Sequence, residues 1–77
     1  MQNMRNVQDE MLRVAKKTKA LITVYLTNGL QLKGYVKGFD NEVILLDYEE
    51  KQQMIYKHSI MIFRPMKRVV LNIENNE

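Results

Sequence analysis

Leu21-Ile22-Thr23-Val24-Tyr25-Leu26-Thr27-Asn28-Gly29-Leu30-Gln31-Leu32-Lys33-Gly34-Tyr35-Val36-Lys37-Gly38-Phe39 is the stretch on which the fold turns. Ile22, Val24 and Leu26 alternate with Thr23, Tyr25 and Thr27, the period of a half-buried strand rich in β-branched and aromatic residues. Asn28-Gly29 then reads as a tight hairpin turn of type I′, whose two central residues need positive φ. The returning strand, Leu30 to Phe39, puts Leu30, Leu32 and Val36 on one side, with Gly34 and Gly38 on that same side. Side chains missing at repeated positions permit a sharp bend or a close backbone approach. A strongly curved sheet follows, which in a small protein means a barrel.

Beyond this hairpin, Asp40-Asn41 reads as a turn and Glu42 to Tyr48 as a third strand. Its centre, Val43-Ile44-Leu45-Leu46, is continuously apolar, so burial on both faces is expected. Glu49-Glu50-Lys51 is a polar turn, Gln53 to Lys57 a fourth strand, and Ile60 to Phe63 a fifth that Pro65 stops. Before the hairpin, Val7, Met11, Leu12, Val14 and Ala15 recur at helical spacing, which predicts one amphipathic helix over 7–17. Asn6 suits its N-cap, Asp9 its positive end, and Lys16, Lys17 and Lys19 its negative end. The expectation is a mostly β chain: an extension over 1–6, one domain over 7–65 with helix 7–17 and a five-stranded, strongly bent antiparallel barrel over 21–65, and a short tail over 66–77. Val69-Val70-Leu71 leaves two readings of that tail open, an unstructured segment and a further short strand.

Seventy-seven residues allow one domain whose single core barely outweighs chain entropy. Cysteine is absent and His58 is the single histidine, so disulfides, thiolate metal sites and multi-histidine sites within one subunit are ruled out. No metal and no cofactor are expected. Self-association is then the remaining source of stability, and a 45% hydrophobic content leaves material for an interface. No apolar run of about 18 residues exists to span a membrane, and the first residues lack a signal peptide's apolar stretch. A cytoplasmic protein is the expectation. The net charge of +3 is unevenly placed. Arg5, Arg13, Lys16, Lys17 and Lys19 face only Asp9 and Glu10 in the first twenty residues, whereas residues 40–77 are net acidic. One end is basic, which suits a polyanionic partner.

Tyr25-Leu26-x-Asn28-Gly29-x-x-Leu32-x-Gly34 followed by Phe39-Asp40 resembles the first Sm motif. Tyr56-Lys57-His58-Ser59-Ile60 resembles the second Sm motif in its bacterial form, the most specific marker of the Hfq family of Sm-like RNA-binding proteins. Gln8-Asp9, Val43-Ile44-Leu45-Leu46 and Gln53-Met54 match that family in order and spacing, with one extra residue around Glu49 to Lys51. The resemblance covers roughly residues 7–65. It implies a homohexameric ring in which the fourth strand of one subunit pairs with the fifth of the next, and a ring of six would carry six times +3, a formal +18.

The resemblance also implies where RNA is held. Gln8, Asn41, Tyr56, Lys57 and His58 correspond to a pore-side pocket for uridine-rich 3′ ends. Lysine offers charge, histidine a hydrogen bond to a terminal hydroxyl or phosphate, and glutamine an amide for a base edge. Tyr25, Gly29, Leu30, Gln31, Leu32, Lys33 and Gln53 correspond to the opposite face, which takes adenine-rich RNA. Tyrosine supplies stacking and glutamine an amide for an adenine edge. Arg13, Lys16, Lys17 and Lys19 correspond to a basic rim that promotes pairing between two RNAs, with lysine mostly in place of arginine, which keeps charge but loses the planar fork. Two departures stand out. Glu42 occupies a position where the family carries a stacking aromatic, and Ile62 one where many relatives have a small polar residue. A weaker or differently built uridine pocket is expected.

Rival functions are poorly supported. Read as strand neighbours, His58 and Ser59 point to opposite faces and form no dyad, and no nucleophile elbow, phosphate loop or metal spacing is present. One isolated helix makes no helix-turn-helix. A protein-interaction barrel and an archaeal-type Sm protein are the nearer alternatives, and Tyr56-Lys57-His58 argues for the bacterial form. The function expected is binding without covalent chemistry: a small regulatory RNA and a messenger held on two faces of one ring, with no membrane and no small-molecule substrate.

Overall fold

The computed structural model describes residues 7–71. Helix α1 spans Val7–Thr18 and is followed by strands β1 (Leu21–Leu26), β2 (Gln31–Phe39), β3 (Val43–Tyr48), β4 (Lys51–Tyr56) and β5 (Ile60–Pro65), with a 3-10 turn at Lys57–Ser59. All pairings are antiparallel, in the order β4-β3-β2-β1-β5. The expected helix and five strands are present. The expected N-cap, Asn6, and residues 72–77 of the tail lie outside the described residues. Residues 68–71 add no strand.

The helix runs one residue past the expected end and closes on Lys19, at φ 56°. Ala20 N–H reaches Ala15 O at 3.0 Å and Lys19 N–H reaches Lys16 O at 3.3 Å, the paired bonds of a Schellman motif with lysine where glycine is usual. Leu12, Val14 and Ala15 are buried as the periodicity requires, and so is Glu10. Val7, expected on the apolar face, is half exposed. Leu12 and Ala15 seal one core with Ile22, Val24, Val36, Ile44, Leu46 and Ile55.

Turn chemistry departs from expectation in an instructive way. At Asn28-Gly29 only Gly29 has positive φ, at 92°. Gly29 N–H bonds Leu26 O at 2.9 Å, and Leu26 N–H bonds Leu30 O at 2.8 Å. This is the three-residue hairpin with a glycine bulge rather than a type I′ turn. The two-residue hairpin lies instead at Glu49 and Glu50, both at positive φ (51° and 67°), between the paired residues Tyr48 and Lys51. Lys51 accordingly begins β4 instead of ending the turn. Pro65 does not stop β5 early but ends it, paired with Ile22 on an edge strand where the missing N–H costs nothing.

The curvature has two sources. A Cβ at Gly34 would lie 3.0 Å from Leu46 Cβ and 3.3 Å from Asp47 O, so only glycine lets β2 approach β3 this closely. The register then shifts between Val36 and Gly38, a bulge that adds bend. The connection from β4 to β5 sets the degree of curl. These strands are opposite edges, about 19 Å apart in a flat five-stranded sheet, yet the four Cα steps from Tyr56 to Ile60 reach at most about 15 Å. The sheet has to roll up for so short a link to close it. β3 is buried on one face only, since Ile44 and Leu46 are fully covered and Val43 and Leu45 half covered. Burial of both faces is not achieved within one subunit, where α1 packs mainly over β2.

Candidate nucleic-acid interface

The 3-10 turn organises the first site. Lys57 N–H donates to Glu42 O at 2.8 Å, tying the end of β4 to the start of β3. Thr27 N–H donates to Ser59 O at 2.8 Å, tying the same turn to the end of β1. The chain before β3 is held by Asp40, whose Oδ1 accepts from Glu42 N–H at 2.8 Å and Val43 N–H at 3.0 Å. Those two N–H groups, with lesser help from Lys57, hold the Asp40 carboxyl below the usual carboxylate range. Helix α1 delivers Gln8 and Asp9 to the same place. The result is an open cleft of about 710 Å³ lined by Gln8, Asp9, Asn41, Glu42, Tyr56, Lys57 and His58. All five residues expected at the pore side are brought together by three separate pieces of chain.

One cleft residue, Asp9, escaped the sequence reading as a participant. Asp9 Oδ1 takes the Lys57 ammonium at 2.5 Å, and Lys57 Nζ also lies 5.4 Å from the centre of the Phe39 ring. The lysine side chain is only 10% exposed, so it braces helix to turn and presents little free charge. Glu42 is exposed at the cleft wall. Tyr56 and His58 stack with ring centres 5.6 Å apart and planes 29° apart, one flat surface at the cleft edge. His58 and Ser59 lie in the 3-10 turn, so the extended-strand argument against a dyad does not apply to them.

The second group sits at the far end of β2. Tyr25 pairs with Gln31 on one side and Ile62 on the other. Arg64, which the sequence reading passed over, covers the Tyr25 ring at 5.3 Å and donates to its hydroxyl at 3.5 Å. Gly29, Leu30, Gln31 and Lys33 are exposed beside it, whereas Leu32 is half buried and packs against the core. Gln53, on edge strand β4 opposite Leu46, is separated from Tyr25 by β3 and β2 in the sheet order. Gln53 and Tyr25 therefore share no strand pairing within one subunit.

On the helix, Lys16, Lys17 and Lys19 are exposed. Arg13 differs: its Nε and Nη2 bond the buried Glu10 carboxylate at 3.1 and 2.8 Å, which raises the guanidinium pKa further. Lys16 and Lys19 also border a hollow of about 590 Å³ with Lys37, Tyr35 and Tyr48. Among the described residues no cluster of metal-binding side chains occurs, and no helix is long and apolar enough to cross a membrane.

A helix laid over a five-stranded antiparallel sheet, rolled by a glycine contact and a three-residue link between its edges, defines an Sm-like protein. The family model described as "Hfq protein" matches residues 7–70. The chain is 52% identical over 69 residues to the "RNA-binding protein Hfq" of Bacillus subtilis, covering 90% of this chain and 94% of that protein. It is 49% identical over 74 residues to the protein of the same name from Anoxybacillus flavithermus, covering 96% and 100%. A crystal structure titled as "the pleiotropic translational regulator, Hfq" superposes with a TM-score of 0.72 at 37% identity, covering 77% of this chain and 98% of the other. The chain belongs to the Hfq family.

Proposed function

We propose that this protein is an RNA chaperone that binds single-stranded RNA without covalent chemistry, on two surfaces of a cytoplasmic homohexameric ring. The observation that carries the reading is the convergence of Gln8, Asn41, Tyr56, Lys57 and His58 on one cleft, in a family whose relatives are named RNA-binding proteins. The cleft, with its stacked Tyr56–His58 surface and amide side chains, takes uridine-rich segments. The surface around Tyr25, Gly29, Leu30, Gln31, Leu32 and Lys33 takes adenine-rich RNA, with Gln53 contributed by the neighbouring subunit. Lys16, Lys17, Lys19 and the Glu10-bound Arg13 attract the backbone at the rim. Holding a small RNA and a messenger on one ring raises their effective concentration, and their pairing then changes translation or decay.

Ring formation is supported by the two sheet edges. Among the described residues, strands β4 and β5 each have one unpaired edge and expose Met54 and Tyr56, and Met61 and Ile62, respectively. Unpaired edges carrying apolar side chains invite a further strand. The test is native mass spectrometry combined with RNA binding at rising salt. Six subunits and a steep loss of affinity with salt are expected; a monomer, or affinity indifferent to salt, contradicts the proposal.

A further inference from the structure

Glu42 is held in place more firmly than its exposure suggests. Its N–H is spent on Asp40 Oδ1 at 2.8 Å and its carbonyl on Lys57 N–H at 2.8 Å. The backbone therefore aims the side chain at the cleft wall between Asn41 and Val43, with Gln8, Tyr56, Lys57 and His58 around the same opening. Among the described residues its carboxylate has no hydrogen-bond or ion-pair partner. The lysine that lines the same cleft, Lys57, has its ammonium taken by Asp9 at 2.5 Å. An ionised carboxylate accepts hydrogen bonds and donates none. A ligand group docking beside it must bring N–H donors, or the carboxylate loses its water without return.

The four bases differ in what they can offer. Uracil presents one ring N–H flanked by two carbonyl oxygens, which a carboxylate repels. Adenine and cytosine present an amino group beside a ring nitrogen that is itself an acceptor. Guanine alone presents two adjacent donors, its ring N1–H and its 2-amino group, at the spacing of two carboxylate oxygens. The pair would be bidentate and charge-assisted, the stronger kind of hydrogen bond. The exposed His58 ring, stacked on Tyr56, offers a flat surface for the base beside it.

We propose that Glu42 is a specificity-determining residue that makes the cleft prefer a uridine-rich strand carrying guanine over one of uridine alone. The inference rests on the reading of the cleft as an RNA site and adds a base preference to it.

The experiment uses the full chain and two fluorescently labelled RNA hexamers, all-uridine and the same hexamer with one internal guanine. Anisotropy titrations cover wild type, Glu42→Gln, Glu42→Phe and Lys57→Ala. Wild type should bind the guanine hexamer roughly five- to tenfold more tightly, the lower range for one bidentate base contact at an exposed site. Glu42→Gln, which keeps shape and removes charge, should bring the two affinities within about twofold, because only the charge-assisted share of the contact is lost. Glu42→Phe should tighten both hexamers and remove the carboxylate-dependent part of the guanine preference, because a stacking face serves every base. A wild-type preference for all-uridine RNA, equal affinities, or a guanine preference unchanged in Glu42→Gln each overturn the proposal. Lys57→Ala separates this failure from that of the cleft reading. If it binds both hexamers as wild type does, RNA is not held in the cleft and the proposal falls with that reading.

Discussion

Replacing Gly34 by alanine tests the close approach that lets the sheet roll. The added methyl would sit 3.0 Å from Leu46 Cβ and 3.3 Å from Asp47 O. Neither neighbour is the far end of a flexible side chain. Leu46 Cβ is fixed to a fully buried backbone position, and Asp47 O belongs to β3 itself. One extra methyl in such a place costs about 1–3 kcal/mol. Against this, alanine narrows the unfolded ensemble and returns about 0.4–1 kcal/mol. The net loss is therefore up to about 2.6 kcal/mol, centred on about 1 kcal/mol, while the gap to a clash-free alanine is the full cost of about 1–3 kcal/mol. Gly38→Ala supplies the control, since nothing lies within 4 Å of a Cβ there and its φ is not in the left-handed range. That variant keeps the entropic gain without the clash and should match or exceed wild type by up to about 1 kcal/mol. Urea unfolding followed by circular dichroism, at one protomer concentration so that assembly contributes equally, measures both. Gly34→Ala as stable as Gly38→Ala would refute the close-approach argument.

Further outcomes follow from the same contacts. Asp9→Ala should weaken RNA at the cleft without touching the Tyr25 surface, because Lys57 loses the partner that positions it; paired anisotropy titrations with uridine-rich and adenine-rich RNA check this. Asp40 has its carboxyl pKa lowered from 3.8, so its contribution to stability is present above that value and is lost as pH falls through the lower folded value. The stability gap between wild type and Asp40→Asn should narrow below about pH 4; a gap constant from neutral pH into that range, in urea titrations, counts against the turn assignment. Met54→Glu together with Met61→Glu should lower the assembly state, since like charges would then oppose each other across adjoining edges; light scattering after size exclusion reports it. Arg64→Ala should weaken adenine-rich RNA severalfold by freeing the Tyr25 ring that it covers, an effect of the size of one cation–aromatic contact.

What could be seen in the chain beforehand was whatever depends on near neighbours. The helix over Val7–Thr18, the alternation of β1 and the bend at Gly34 all announce themselves through spacing a few residues long. The turns were harder, because Asn-Gly is compatible with more than one hairpin. Bonds from Leu26 to both Gly29 and Leu30 selected the bulged form, while two glutamates took the positive φ values usually left to glycine and asparagine. Pro65 ends β5 without breaking it because the strand is an edge, a fact set by sheet order and invisible locally. The cleft residues were legible through motif resemblance, but the pairing of Lys57 with Asp9 joins residues 48 apart and that of Arg64 with Tyr25 joins residues 39 apart. No periodicity carries such information. Glu10 illustrates the same limit, for its burial shows only when the helix is laid on the sheet and Arg13 is seen to neutralise it.

The central claim is that one ring holds two RNAs at separate places, the Lys57–His58 cleft at one end of β2 and the Tyr25–Gln31 surface at the other. Competition tests it most directly: labelled hexauridine is bound to the full chain, and unlabelled adenine-rich RNA is added to saturation at fixed salt. The account predicts that the label stays bound, that unlabelled hexauridine displaces it, and that Lys57→Ala abolishes the signal while Tyr25→Ala leaves it intact. Displacement of the label by adenine-rich RNA as readily as by hexauridine would contradict the claim and leave a single, nonselective basic surface.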